Sequence, residues 1–133
     1  MKIHIGDPNR KNRKFEIEFK EYDLKIVNTQ LSHVILNMLK EIRFKFNTDK
    51  ELEFNIDKED VPMDLRPNMY EVEMYEHDGT LDNNYHKRYK FVLEEMIFSF
   101  KTHLENEEWQ EDKELSKRVK NGFNLFGKYF YKL

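Results

Sequence analysis

Three stretches of the chain carry apolar residues at the three- and four-residue spacing of one helical face. The first runs from residue 28 to 46, and it begins with Asn28, a residue type that caps helices. The second runs from residue 85 to about 106, and the third from 115 to 130. Their apolar positions are Leu31, Val34, Ile35, Met38, Leu39, Ile42 and Phe46, then Tyr85, Tyr89, Val92, Leu93, Met96, Ile97, Phe100 and Leu104, then Leu115, Val119, Phe123, Phe126 and Phe130. Each stripe predicts an amphipathic helix whose apolar face packs against the rest of the domain.

The start of the chain alternates polar and apolar residues with a period of two, which is typical of strands. Residues 2–5 and 14–19 show this pattern, and the turn-forming residues 6–9 separate them. They predict a β-hairpin whose core-facing side chains are Ile3, Ile5, Phe15, Ile17 and Phe19. A shorter alternation over residues 52–56 predicts a third strand.

The chain shows no clean hydrophobic period from residue 68 to residue 84. Acidic residues followed by Pro62 predict one short helix over residues 57–66, which Pro67 ends. Residues 68–84 are predicted to be the longest loop, with a turn at residues 77–79. The expected fold is therefore a single α+β domain over residues 1–133, mainly α, with three amphipathic helices packed on a small N-terminal β-hairpin or sheet.

Two glycines, Gly122 and Gly127, interrupt the third helical stripe. Glycine inside a helix costs about 1 kcal/mol relative to alanine, so its presence calls for a reason. It usually allows a neighbouring element to approach closely, or it marks the end of the helix.

Composition narrows the functional classes. The 133 residues contain no cysteine, which excludes disulfides, thiolate metal sites and thiol catalysis. The net charge of −3 excludes a basic field over the whole surface, so DNA and RNA polymers are not expected partners. The first residues do not resemble a signal peptide, and no apolar run approaches the roughly 20 residues of a membrane span. A soluble cytoplasmic protein without a membrane partner is expected.

The residues favour binding over catalysis. The five histidines lack metal-ligand spacing, the three serines lie in no nucleophile motif, and the four glycines form no phosphate-binding loop. The acidic cluster of Asp57, Glu59, Asp60 and Asp64 suits a divalent cation in residue type. Acidic residues are also common at a helix start because they favour its dipole, and that explanation is preferred here. No enzyme activity, metal or cofactor is predicted.

Aromatic and basic residues alternate at residues 85–90 and again at residues 127–132. Nucleobases stack on aromatic rings, while Arg and Lys pair with phosphates. This combination indicates a possible nucleotide site, although basic side chains that extend from a core helix into water give the same pattern.

Several segments resemble a family of small proteins from tailed bacteriophages. They are residues 2–6, 60–62, 65–66, 88–89, 92–97 and 121–129, and they cover nearly the whole chain in the family's order. The chain departs from the family at Tyr89, where relatives tend to carry Trp, and in having fewer Trp residues in its N-terminal third.

This family resembles the phage anti-CBASS sponges, which bind a cyclic dinucleotide such as cyclic GMP–AMP without cleaving it. The resemblance implies a homo-oligomer, a tetramer, that acts in the cytoplasm of the infected bacterial host without a cofactor. Residue type then assigns phosphate pairing to Arg and Lys, base stacking to Tyr and base-edge recognition to Asn. The predicted ligand-binding residues are Arg88, Tyr89, Lys128, Tyr129, Asn121, Tyr85 and Lys87. In this role, an Arg88→Ala change is expected to abolish binding and leave the melting temperature nearly unchanged.

The alternative is a protein-binding inhibitor or accessory factor that acts on a host protein. Its contact surface would be the acidic segment 105–114 with the single tryptophan, Trp109. An enzyme that acts on nucleotides and a phage structural protein without a small ligand are further alternatives.

Overall fold

The computed structural model describes residues 2–7, 9, 11, 15–18, 20–21, 26–46 and 53–133. These residues include strands β1 (Lys2–Ile5) and β2 (Phe15–Glu18) and helices α1 (Val27–Phe46), α2 (Met69–Asp78), α3 (Tyr85–Glu105) and α4 (Lys113–Tyr129). They also include short 3-10 turns at Lys58–Asp60, Met63–Leu65 and Phe130–Lys132. The predicted class, α+β and mainly α, is confirmed.

Helix α3 lies at the centre of the core and packs against both α1 and α4. The three predicted helical stripes are confirmed in position, and most of their residues supply this core. The buried apolar side chains that these three helices contribute to the core are Leu36, Leu39 and Phe46 from α1, Tyr89, Val92, Leu93, Met96 and Phe100 from α3, and Val119, Leu125 and Tyr129 from α4. The stripes were too wide at three positions, because Leu31, Met38 and Phe130 are 46%, 60% and 64% exposed.

Gly122 permits the contact between α3 and α4. A Cβ atom at this position would overlap Ser99 Oγ and would lie 2.5 Å from the backbone carbonyl oxygen of Glu95. The close-approach explanation is therefore confirmed for Gly122. No described residue outside its own turn of the helix lies within 4 Å of the position that a Cβ of Gly127 would take, so close packing in the described part of the chain does not explain that glycine.

The predicted hairpin is confirmed as an antiparallel pair in which Ile3 lies opposite Ile17 and Lys2 opposite Glu18. Its apolar face is not buried as predicted, since Ile3 is 40% and Ile17 47% exposed. The side chains of Ile5 and Phe15, and the whole of Phe19, lie outside the described part of the chain.

The predicted third strand is wrong, because residues 53–57 follow an irregular path; Leu52 lies outside the described residues. This segment still contributes to the core, with Ile56 buried and the Phe54 ring 4.9 Å from the Tyr89 ring. The short helix expected over residues 57–66 is instead two 3-10 turns, since Pro62 lies between them with an extended backbone.

The loop predicted over residues 68–84 is also wrong, because it contains α2. The Asn68 side chain accepts a hydrogen bond from the Glu71 N–H, and the Glu71 side chain accepts one from the Asn68 N–H. This reciprocal capping box defines the start of the helix. Gly79 ends it with a left-handed backbone (φ 75°) that favours glycine.

Candidate functional site

Arg88, the first predicted phosphate-binding residue, is buried in an ion pair. Its Nη1 and Nη2 atoms donate to the two carboxylate oxygens of Asp82 at 2.9 and 2.6 Å, and Nη1 also donates to the Leu65 carbonyl oxygen. The side chains of Arg88 and Asp82 are only 3% and 7% exposed. The hydrogen bonds from Arg88 hold the pKa of Asp82 below its ordinary value. The guanidinium group therefore links the start of α3 to the preceding loop.

Tyr89 and Tyr129, predicted to stack on bases, lie in the core. The Tyr89 ring is 1% exposed and stacks on Phe46 at 5.4 Å. The Tyr129 ring is 3% exposed, and its hydroxyl donates to Asp60 Oδ2 at 2.5 Å. Burial raises the pKa of each to about 12. Neither ring presents a face on which a base could stack.

Lys128 is held by two carboxylates from the segment before α2. Its Nζ lies 2.8 Å from Asp57 Oδ2 and 2.6 Å from Asp60 Oδ2. These hydrogen bonds raise the pKa of Lys128 above its ordinary value. The acidic cluster at this point therefore binds a cation of the chain itself. Within the described residues, no three His, Asp or Glu side chains are placed to hold a metal ion.

The remaining predicted site residues, Asn121, Lys87 and Tyr85, are more accessible to solvent, but they do not line one common site. Asn121 and Lys87 are exposed, and neither lines the groove described next. Tyr85 is partly exposed and stacks on Tyr75 of α2, with 6.3 Å between ring centroids. Burial raises the pKa of Tyr85.

A groove of about 310 Å³ lies between residues 55–59, Pro67, one face of α2 and the start of α3. Of the predicted residues, Arg88 and Tyr85 line it, and Lys128 contacts it through the lining residue Asp57. We call it the α2 groove. Its described lining carries five carboxylates, Asp57, Glu59, Glu71, Glu76 and Asp82, against two cations, Lys58 and Arg88. The groove is therefore acidic.

Sequence reasoning did not assign Glu71, Val72, Tyr75 or Glu76 to a site, because it placed them in a loop. The signal that identifies them is the pairing of Asn68 with Glu71 at the start of a helix and Gly79 at its end. A helix between these caps has residues 71, 72, 75 and 76 on one side, at the three- and four-residue spacing of one face.

Trp109 is not a contact surface as predicted. It is 6% exposed, and its ring lies 6.1 Å from His103 and 6.2 Å from Phe123. The acidic residues around it form turns that lead into α4, where Asp112 accepts hydrogen bonds from the Glu114 and Leu115 N–H groups. Trp109 therefore anchors the connection between α3 and α4 in the core.

No protein-family model, curated protein or solved structure matches the chain. None of the helices in the described ranges combines the length and the apolar character that crossing a bilayer demands. The geometry of the α2 groove is the observation that bears most directly on function.

Proposed function

We propose that this chain is a non-catalytic binding protein that holds a peptide segment of a partner protein in the α2 groove. The observation that supports this proposal is the state of α2. This helix has ten residues and caps at both ends, yet none of its residues is buried. Isolated helices of this length are marginal in water, and most helices in proteins are stabilised by packing of an apolar face. A segment bound beside α2 would supply that packing.

The exposed side chains of α2 agree with this role. Met69 and Tyr70 are 81% and 69% exposed, and Val72 and Tyr75 line the groove on the same helix. Aromatic residues and methionine are enriched where proteins bind one another, because they bury large areas and adapt to different partners.

The cyclic-dinucleotide sponge, with its tetrameric assembly, stays a prediction from the resemblance. Two of the three cations expected to pair with phosphates, Arg88 and Lys128, already pair with carboxylates of the chain. The third, Lys87, does not line the groove. A doubly negative ligand in the α2 groove would also approach five carboxylates. This electrostatic cost favours the peptide proposal over the sponge.

The proposal is tested by selecting binders from a library of random 12-residue peptides with the purified protein. Val72→Trp fills the groove, whereas Glu73→Trp places the same bulk at an exposed position of the same helix. Selected peptides are expected to bind the native protein and the Glu73→Trp variant and to lose affinity for the Val72→Trp variant.

The proposal fails if no peptide is enriched, or if the Val72→Trp change leaves peptide binding intact. A thermal shift with cyclic dinucleotides, without any peptide binding, would favour the sponge instead. A ligand at 100 times its dissociation constant adds about 2.7 kcal/mol of stability, which such an assay detects readily.

A further inference from the structure

The carboxylates of the α2 groove are not equally neutralised. Asp82 pairs with Arg88, and Asp57 pairs with Lys128. The carboxylates of Glu59, Glu71 and Glu76 form no ion pair with any described residue. Of the two cations in the described lining, Lys58 also has no ion pair with a described residue, whereas Arg88 pairs with Asp82. The groove therefore keeps an excess of negative charge after its internal pairs are counted.

A second feature concerns Arg88, a residue that lines the groove and carries a buried donor group. The Nε–H group of Arg88 is buried and has no hydrogen-bond partner among the described residues, although Nη1 and Nη2 of the same side chain are bonded. Leaving a buried donor unsatisfied is costly, so such a group is a natural place for a ligand acceptor. Arg88 lines the groove, and a carbonyl oxygen is an acceptor that adds no negative charge near Asp82.

The two features together describe one kind of ligand. It brings a positive charge to the carboxylates and a neutral oxygen acceptor to the guanidinium group. A basic residue within a peptide has both, since its side chain is cationic and its main-chain carbonyl is a neutral acceptor. The paired rings of Tyr75 and Tyr85 line the same groove, and aromatic faces attract ammonium and guanidinium groups.

We propose that the α2 groove recognises a lysine or arginine residue of the partner segment. The cationic side chain lies against Glu59 and Glu76, and the main-chain carbonyl of the same residue accepts from Arg88 Nε. This inference rests on the proposed function, because it specifies the residue that a peptide-binding groove selects.

The first test uses 8-residue peptide pools, each with Lys, Arg, Glu or Leu fixed at one position, and measures binding by fluorescence anisotropy. Glu59 and Glu76 are exposed, so each contributes as a surface charge does. The Lys and Arg pools are expected to bind tightest, and the double change Glu59→Gln/Glu76→Gln is expected to weaken them about three- to tenfold. Glu73→Gln, outside the groove on the same helix, is the matched control and is expected to change nothing. Glu71 is left intact because it caps α2.

The possible results separate the two proposals. If the Leu or Glu pools bind best, or if the double glutamine variant keeps the preference for basic pools, the basic-residue inference is wrong while peptide binding stands. If no pool binds in a way that Val72→Trp abolishes, the peptide-binding proposal fails as well.

The contact with Arg88 is tested on the peptide, so that the fold is not disturbed. Replacing the amide that follows the basic residue with an ester weakens its carbonyl as an acceptor. Affinity is expected to fall severalfold, while an ester elsewhere in the same peptide has a smaller effect. Equal effects of the two esters would overturn the assignment of Arg88 Nε as the donor.

Discussion

Replacing Arg88 with alanine is expected to destabilise the fold strongly, in contrast to the sequence-based expectation of an unchanged melting temperature. The change removes two charge-assisted hydrogen bonds to Asp82 and one bond to the Leu65 carbonyl. It also leaves a carboxylate that is 7% exposed without its cation. Breaking a buried ion pair from one side costs about 3–5 kcal/mol. The Asn84 N–H still donates to Asp82 at 2.9 Å, which favours the lower part of that range.

The neighbouring Lys87 supplies a matched control, because it lies in the same helical turn and is exposed. Lys87→Ala is expected to change stability by no more than about 0.5 kcal/mol. Thermal or urea unfolding followed by circular dichroism separates the two variants. For a chain of this length, 1 kcal/mol corresponds to roughly 3–4 °C. A loss of about 3–4 kcal/mol for Arg88→Ala is therefore expected to lower the melting temperature by about 9–16 °C.

A double-mutant cycle with Asp82→Ala isolates the pair itself. The combined variant is expected to lose less stability than the sum of the single changes, since each single change leaves the partner uncompensated. The Arg88 hydrogen bonds lower the pKa of Asp82, so its stabilising contribution is present above its unfolded pKa of about 3.9 and is lost as the pH falls through the folded pKa. The reasoning is refuted if Arg88→Ala costs no more than Lys87→Ala, or if the cycle shows no coupling.

Two further predictions concern the contact of α4 with α3 and the buried tyrosines. Gly122→Ala is expected to destabilise the protein by about 1–3 kcal/mol, because the added Cβ would overlap Ser99. Gly127→Ala places its Cβ where no described residue outside its own turn of the helix lies within 4 Å, so it is expected to stabilise the protein by up to about 1 kcal/mol in the same unfolding assay. Equal effects of the two alanines would contradict the packing explanation. Because burial raises the pKa of Tyr129 to about 12 while an unfolded tyrosine ionises near 10, stability is expected to fall between about pH 10 and 12. Tyr129→Phe is expected to reduce that fall and to remove an ionisation near pH 12 from the ultraviolet titration. Loss of an ionisation near pH 10 instead would show that Tyr129 ionises as an ordinary tyrosine.

The sequence predicted the helices whose side chains enter the core. Helices α3 and α4 have long apolar stripes, so their positions follow from spacing alone. Helix α2 has no buried residue and hence no stripe, which is why its residues were assigned to a loop. The alternation in the hairpin predicted its strands correctly, but alternation alone does not reveal whether the face of Ile3 and Ile17 is covered.

The candidate site was predictable only in part, because its decisive contacts follow no recognisable sequence motif. Lys128 donates a hydrogen bond to Asp60, which lies 68 positions earlier, and no local sequence pattern predicts that pair. The pair between Arg88 and Asp82 spans six positions across the start of a helix, a spacing without a characteristic motif. The sequence shows which cations are next to aromatic residues, but the carboxylates that pair with these cations are known only from the tertiary structure.

These partners determine how the two ligand proposals can be separated. A cyclic dinucleotide that used Arg88 and Lys128 would compete with Asp82 and with the carboxylates beside Lys128 for the same donors. It would also be repelled by Glu59 and Glu76, which would attract a basic peptide. The double change Glu59→Gln/Glu76→Gln is therefore expected to lower the affinity of the groove for a basic peptide and to raise its affinity for an anionic ligand. Since glutamine keeps the size of glutamate and both positions are exposed, the fold is not expected to change, and the sign of the affinity change alone indicates which class of ligand the groove binds.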